Sequence, residues 1–455
     1  MNRIFFYLFT SSILVKLWLA AFIPLAPDEA YYRLWSQYLQ LSYFDHPPMI
    51  AWMIFISEKI GVVLPSPELT VRIFGVLIHH ATAFIIVKLY QKIIQRSQFG
   101  KEEICVFLLF LFHPLLGFFQ ILQTPDLPLL FFWSLSNLIF FELLTSKKRT
   151  LFFLLGFVLG LGFLSKYMIV LWGFSLIVLF LLHYRQRSLW FLISSRNVVI
   201  GFLALFLASA PVWIWNVMNG WASFKFQISH GFEAPGFEYN WVYNYLAGVS
   251  ILSGAYLFSV DFSKVPSFNE TQRIQTHFII IQLFLPLLFF LNSSFHAPTE
   301  VNWPIMGYMS LPILIVLLGR SQKWITVAVV GSGVVTMIMA AAVLGPWVKI
   351  PQIEQMKNLK ALGKRLSSDT HPLYTCKYQT AALLDFYSSY PVFKLQDCSR
   401  YDFYDSRAEF VNKNDVFFIY KTENQDIPLM YQPVELKLMN TEAEGHALYR
   451  VERRQ

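Results

Sequence analysis

The sequence predicts an all-α polytopic membrane protein of about eleven transmembrane helices, with a surface helix in its first outside loop and a small C-terminal α/β domain. Three observations predict it. The 455 residues are 56% hydrophobic and only 14% charged, against about 25% charged in an ordinary soluble domain. Apolar runs of about 20 residues recur through the first three quarters of the chain. Lysine and arginine sit in short groups on alternate connections between those runs. The net charge of +8 is not gathered into one basic face, which excludes nucleic acid as a partner.

The first run, 4–25, follows Arg3 as a secretory signal would. It is longer than the roughly 7–15 apolar residues of a signal, so it reads as a retained span. The others are 70–90, 104–123, 127–145, 151–165, 167–183, 198–217, 241–260, 275–292, 303–319 and 324–345. With a cytoplasmic N-terminus, the inside loops hold Lys88, Lys92, Arg96, Lys101, Lys147, Lys148 and Arg149. Further inside loops hold Arg185, Arg187, Arg196, Lys264, Arg273, Arg320 and Lys323. Only Arg33, Lys59, Lys166 and Lys225 fall outside, and this bias orients the chain.

An odd number of spans puts the tail outside too. The expected division is a membrane domain over 1–348 and an extracytoplasmic domain over 349–455. The tail is polar, with β-type runs at Asp415–Tyr420 and Ala447–Val451 and a helical stretch at Thr380–Tyr387. No internal repeat or low-complexity segment is visible. Cys105 lies in an apolar run and reads as a packing residue. Cys376 and Cys398 lie in the tail, where an oxidising compartment would permit a disulfide; the spacing leaves bridged and free forms both open.

The first outside loop begins APDEAYYRLW. Tyr31, Leu34, Trp35, Tyr38 and Leu39 recur at helical spacing, and their aromatic face suits the headgroup zone of a membrane. Asp28 and Glu29 fall at the start of that helix, where Asp28 could simply be its N-cap. In the next outside loop, Thr124 as N-cap and Pro125 at the first position explain the Thr-Pro pair and leave Asp126 over. Acids at the hydrocarbon edge are costly and usually pair or serve a site. Several converging there would raise a pKa or recruit a cation, and either helps proton abstraction. Phe44-Asp45-His46-Pro47-Pro48 adds Asp45 and His46 as candidate metal or phosphate groups. Ser165-Lys166-Tyr167 is a polar break between apolar runs, where Lys166 either snorkels or meets an anionic headgroup.

These residues, with Arg72, the run WNVMNGWASFKFQ from Trp215 to Gln227, and Asn302-Trp303-Pro304, stand in an order that resembles one family over about 1–320. It is the GT-C-fold glycosyltransferases that use lipid-phosphate sugars, a bacterial group that includes the lipid A aminoarabinose transferase and relatives of the protein O-mannosyltransferases. The tail resembles the extracytoplasmic domain of the aminoarabinose transferases less specifically.

The resemblance implies an enzyme of the bacterial inner membrane that moves a sugar from a polyprenyl phosphate, such as undecaprenyl phosphate. The acceptor would be a lipid such as lipid A, a glycan or a protein on the extracytoplasmic side. It implies catalytic acids at Asp28, Glu29 and Asp126. Donor or acceptor contacts would come from Lys166, Tyr31, Tyr32, Arg72, Asn302 and Trp303, and a divalent metal or phosphate site from Asp45 and His46. Tyr31 departs from the aminoarabinose subgroup, which has an arginine two residues after the glutamate.

The chemistry suits the residues. Leaving polyprenyl phosphate gathers negative charge, and a cation about 4 Å away at an effective dielectric near 20 stabilises it by about 4 kcal/mol. Lys166 is the first candidate. Toward a hydroxyl acceptor Asp28 acts as general base and inverts the anomeric centre; toward a phosphate acceptor it mainly positions. The rival reading is a lipid-sugar flippase or transporter, which would place its site at mid-membrane between repeated halves.

Overall fold

The computed structural model describes residues 3–232, 237–263, 267–345, 350–365, 372–414, 416–422, 425–428, 431, 434–441 and 446–453. Lys264, Asp415 and the 348/349 boundary lie outside them. The chain forms two compact units. One comprises Met1–Ala21, Gln40–Ser42 and His46–Ala341; the other comprises Phe22–Leu39, Tyr43–Asp45 and Ala342–Gln455.

The first unit is helical. Its elements are α1 (Arg3–Phe22), α3 (Met49–Ile60), α4 (Pro67–Ile94), α5 (Lys101–Phe112), α6 (Asp126–Ser146), α7 (Thr150–Phe163) and α8 (Val170–Leu182). There follow α9 (Ser195–Met218), α10 (Ala222–Phe232), α11 (Tyr239–Phe258), α12 (Glu270–Ser293), α13 (Ile305–Tyr308), α14 (Leu311–Leu318) and α15 (Gln322–Leu344). The intervening α2 (Pro27–Gln37) belongs to the second unit.

Each of the eleven apolar runs contains a helix. Among the described residues, however, only six helices are long and apolar enough to cross a membrane: α1, α4, α6, α9, α12 and α15. The run 104–123 stops being α-helical at Phe112, because the residue before Pro114 is pushed out of the helical region: His113 has ψ 127°. The run 303–319 is split into α13 and α14, with Pro312 in the first turn of the latter. The eleven apolar runs are therefore not eleven full-length spanning helices.

Two packing devices fix α6 and α7. Lys147, in the left-handed region at φ 52°, ends α6 and lets α7 begin within three residues, so the two helices return antiparallel. A Cβ on Gly156 would lie 2.0 Å from the Gly201 carbonyl oxygen, and one on Gly160 would lie 2.5 Å from that of Leu205. Small residues four apart thus let α7 approach the backbone of α9 closely, the usual way apolar helices attract in lipid. Deeper in the bundle, Asn137 of α6 and Gln282 of α12 exchange hydrogen bonds of 2.7 and 2.9 Å. Trp133 donates to Gln282 at 3.2 Å, and Trp172 of α8 donates to Asn137 at 2.7 Å. Every polar atom of this amide pair's acceptors is answered inside the bundle, where water could not do so.

In the second unit, α16 (Pro351–Arg365) and α17 (Tyr378–Tyr387) accompany a mixed sheet of β1 (Leu373–Thr375), β2 (Val392–Lys394), β3 (Val416–Thr422), β4 (Val434–Thr441) and β5 (His446–Arg453). The order is β2-β1-β3-β5-β4. β1 is parallel to both neighbours, and β5 is antiparallel to both of its own. The β1–α17–β2 unit is a short crossover, as parallel strands require. The expected strand and helix runs are all present.

The first-loop helix α2 also forms, but its aromatic face does not point at lipid headgroups. Tyr31 and Trp35 are buried. Tyr31 lies 4.4 Å between ring centroids from Tyr378, and Trp35 stacks on Tyr43 at 4.2 Å and approaches Phe403 at 6.4 Å. The same periodic stripe that suits a membrane surface suits a protein core, and burial of each large ring contributes about 1.5–3 kcal/mol.

Candidate active site

In the membrane unit the antiparallel α6–α7 hairpin returns the end of α7 to the start of α6. Pro125 is the N-cap and Asp126 the first helical residue; Thr124 supplies only its carbonyl oxygen, to Leu127 at 3.1 Å, in place of the side-chain cap expected of it. Asp126 Oδ1 accepts a 2.6 Å charge-assisted bond from Lys166 Nζ, and both side chains are largely buried. Asp126 is therefore the partner of Lys166, and its negative charge also suits the positive end of α6.

The segments around Lys166 are the motif segments of the sequence. Met49 N, just after His46-Pro47-Pro48, donates to Leu164 O at 2.9 Å. Tyr167 shares a 2.6 Å hydrogen bond with Ser223, and its ring lies 4.9 Å from that of Phe224. Ser223 can be there because Gly220 and Trp221 both adopt positive φ, 60° and 63°, in the tight turn from α9 into α10. The glycine of WNVMNGWASFKFQ is the residue that makes that turn cheap. Trp215 donates to Gln40 Oε1 at 3.2 Å.

The other predicted members of this unit have partners of their own. Arg72 is fully buried and donates to Ala20 O at 2.9 Å, satisfying a carbonyl in the last turn of α1 and clamping the first span. Asn302 and Trp303 form the turn into α13, with Trp303 5.7 Å from Phe290. A cavity of about 900 Å³ lies toward the opposite end of α6, lined by Lys88, Lys92, Arg96 and Glu142 among others. It is far from Asp126, and two of its cations are already ion-paired, Lys92 with Glu142 and Arg96 with Glu102 and Glu103.

In the second unit, α2 starts at Pro27, so Ala26 is the N-cap and Asp28 is not. The capping is done by Glu29, which is buried and accepts from Ala26 N at 3.1 Å. Glu29 is thus engaged in capping, while Asp28 stays exposed in the first turn. The Tyr31 hydroxyl donates to Asp45 Oδ2 at 2.8 Å and accepts from Phe403 N at 2.9 Å. Tyr32 is packed against Trp35 at 5.0 Å. Asp45 Oδ1 takes a 2.6 Å bond from Arg400 Nη1.

Burial pushes the Tyr31 phenol well above its ordinary range, reinforced by Asp45 and Asp402, so it stays a hydrogen-bond donor. Asp45 thus has one oxygen on a hydroxyl and the other on a guanidinium. Among the described residues no group of three or more His, Cys, Asp or Glu side chains is placed to hold a metal ion.

Cys376 and Cys398 are bonded, with Cα atoms 4.9 Å apart. Closing a loop of this length stabilises the fold by about 3 kcal/mol in the chain-entropy account. Residues that sequence reading missed are Tyr378, Arg400 and Lys394. A signal existed: the two cysteines stand two residues before Tyr378 and Arg400, respectively.

Comparison with known proteins agrees with this architecture. The family described as Dolichyl-phosphate-mannose-protein mannosyltransferase matches residues 45–215. A curated relative, Lipid A galacturonosyltransferase RgtD of Rhizobium johnstonii, is 24% identical over 326 residues, 70% of this chain and 66% of its own length. The chain thus spans about two thirds of that relative. Among solved structures, ArnT from Cupriavidus metallidurans bound to undecaprenyl phosphate aligns at TM-score 0.67 and 13% identity, covering 99% of this chain and 98% of that one. Its apo state aligns at 0.64 and 13% identity, over 98% and 97%.

Proposed function

We propose that this chain is a GT-C-fold membrane glycosyltransferase that transfers a sugar from a polyprenyl phosphate to a lipid acceptor of the lipid A type. The donor class is supported by the ArnT counterpart, whose structure holds undecaprenyl phosphate. The acceptor class is supported by the name of the galacturonosyltransferase relative. The single observation that carries the reading is the Asp126–Lys166 pair, a buried cation held at the start of a membrane helix by a carboxylate.

In this reading Lys166 meets the donor phosphate, exchanging part of its interaction with Asp126 for the charge that develops as the sugar leaves. Asp28, exposed and not spent on capping, takes the proton of a hydroxyl acceptor, or aligns a phosphate acceptor that needs no base. The N-terminus is cytoplasmic, and Asp28 and the tail lie outside the inner membrane. The Cys376–Cys398 bridge supports that side, since disulfides persist in oxidising compartments.

The test is transfer by the purified protein. Undecaprenyl-phosphate sugars are offered with lipid A, with peptide and with glycan acceptors, and the products are read by mass spectrometry. Mass increase of lipid A alone supports the reading. Modification of peptide or glycan only would replace the acceptor, and transport of the lipid-linked sugar without bond cleavage would replace the enzyme with a flippase.

A further inference from the structure

Glu142 stands near the end of α6, about 24 Å along the helix axis from Asp126. There the last turns of α4 and α6 and the first turn of α7 border the cavity of about 900 Å³. Its lining joins two kinds of surface. Leu138 and Ile139 of α6 and Leu151 of α7 supply an apolar wall, and Lys88, Lys92 and Arg96 supply cations. Two of the cations are answered from within the protein, Lys92 by Glu142 and Arg96 by Glu102 and Glu103. Lys88 is not. Its ammonium donates to Gln91 Oε1 at 3.0 Å and lies 5.3 and 4.7 Å from the ring centroids of Phe84 and Phe99; among the described residues no carboxylate is bonded to it. An ammonium has three N–H donors, so two are left over. The surroundings of Lys88 are built rather than loose. Gln91 is buried, and its Nε2 donates to Gln98 O at 3.0 Å, tying the connection after α4 back to the helix that carries the lysine. Gln95, at φ 54°, is the residue that turns the chain out of α4 to allow this. The connection from α6 to α7 adds Lys147, Lys148 and Arg149, all exposed, between the lining residues Thr145 and Leu151.

We propose that this cavity binds the phosphate of an anionic phospholipid, with Lys88 as its principal cation and Leu138, Ile139 and Leu151 against the glycerol and the first carbons of the chains. Basic residues at helix ends are expected of any polytopic chain. A cavity that sets a cation with spare donors beside an apolar wall is a different feature, and basic pockets between membrane helices are where anionic headgroups bind. The ligand class follows from the lining. Free phosphate would leave the three apolar side chains unused, and a zwitterionic lipid would bring its own cation to a cluster of cations. The volume falls within the roughly 300–1,000 Å³ of small-ligand sites. This site is separate from the Asp126–Lys166 pair at the other end of α6, and by the orientation proposed above its lipid comes from the cytoplasmic leaflet.

The experiment titrates the full-length protein in neutral detergent with three probes, read by native mass spectrometry: phosphatidylglycerol, phosphatidylcholine with the same chains, and glycerol 3-phosphate. The wild type should bind phosphatidylglycerol tightest. Lys88→Gln should raise its Kd about fivefold and leave phosphatidylcholine unchanged, while Lys88→Arg keeps the wild-type affinity. Lys323→Gln, at an exposed lysine in the first turn of α15, should change nothing. Equal binding of the two lipids by the wild type would overturn the proposal. So would a Kd for phosphatidylglycerol that Lys88→Gln leaves unmoved, or that Lys323→Gln raises as much. Glycerol 3-phosphate binding as tightly as phosphatidylglycerol would replace the lipid with a soluble phosphate ester. If Lys88→Gln does not fold, photoactivatable phosphatidylglycerol on the wild type decides the matter. Adducts gathered on peptides covering 88–97 and 138–151 support the site, and adducts spread evenly over the helices overturn it.

Discussion

The two units hold a buried acid in opposite ways. In the membrane unit, Asp126 meets Lys166 across 40 residues, through one hairpin of adjacent helices. In the other, Asp45 meets Arg400 across 355 residues, through a loop that only the folded tail positions. A neighbour brought by a helical hairpin is close to inevitable once the two helices form. A neighbour brought by a separate sheet depends on the fold being complete. The first arrangement should resist local damage to the tail, whereas the second should be sensitive to it.

The largest effect expected is on chemistry. Asp28→Asn removes the exposed acid of α2 while leaving the Glu29 cap in place, so transfer should fall by about 10²–10⁴-fold with the melting temperature unchanged. Full turnover would remove Asp28 from the mechanism. Next is Lys166→Ala, which strands Asp126 in a largely buried position; a loss of about 3–5 kcal/mol is expected in thermal unfolding of the detergent-solubilised protein. Lys166→Ala combined with Asp126→Asn should recover much of that stability yet not the use of the polyprenyl donor, which separates the structural from the functional share of the pair.

Gly156→Ala probes the hairpin itself. Its Cβ would press on the Gly201 carbonyl, and the cost should be about 1–3 kcal/mol, read by the same melt. A neutral result would mean that α7 and α9 can part without loss. The smallest effect is Tyr31→Phe, which removes the donor to Asp45 and should cost about 0.5–1.5 kcal/mol, concentrated in the tail and visible as faster amide exchange across α17. If exchange quickened in α6 and α7 instead, the contrast between the two units would fail.

Legibility in the sequence follows the same division. Membrane helices announce themselves by composition and length, so every apolar run contains one, and proline at 114 and 312 could have warned of the two that break. The runs Asp415–Tyr420 and Ala447–Val451 were readable as strands from their β-branched and aromatic content, though not to their full length. What sequence could not supply is partner choice over distance. The stripe Tyr31, Leu34, Trp35 has one periodicity whether it faces lipid or Tyr378 and Phe403. Nothing local in Asp45-His46 says that the aspartate is already held by a guanidinium more than 350 residues away. Asp28 and Glu29 look alike in a string, and only the start of α2 at Pro27 gives one the cap and leaves the other exposed. The Asn137–Gln282 pair was invisible for the same reason, since each is a lone amide in an apolar run.

The span between Asp45 and Arg400 also sets a clock. Ribosomes add about 5–20 residues per second, so Asp45 is made about 20–70 s before its guanidinium partner exists. Throughout that interval the N-terminal loop waits as an acidic segment without its counterion. The loop can reach the geometry seen here, with Asp45 bonded to Arg400, only once the 400–405 loop has been made and folded.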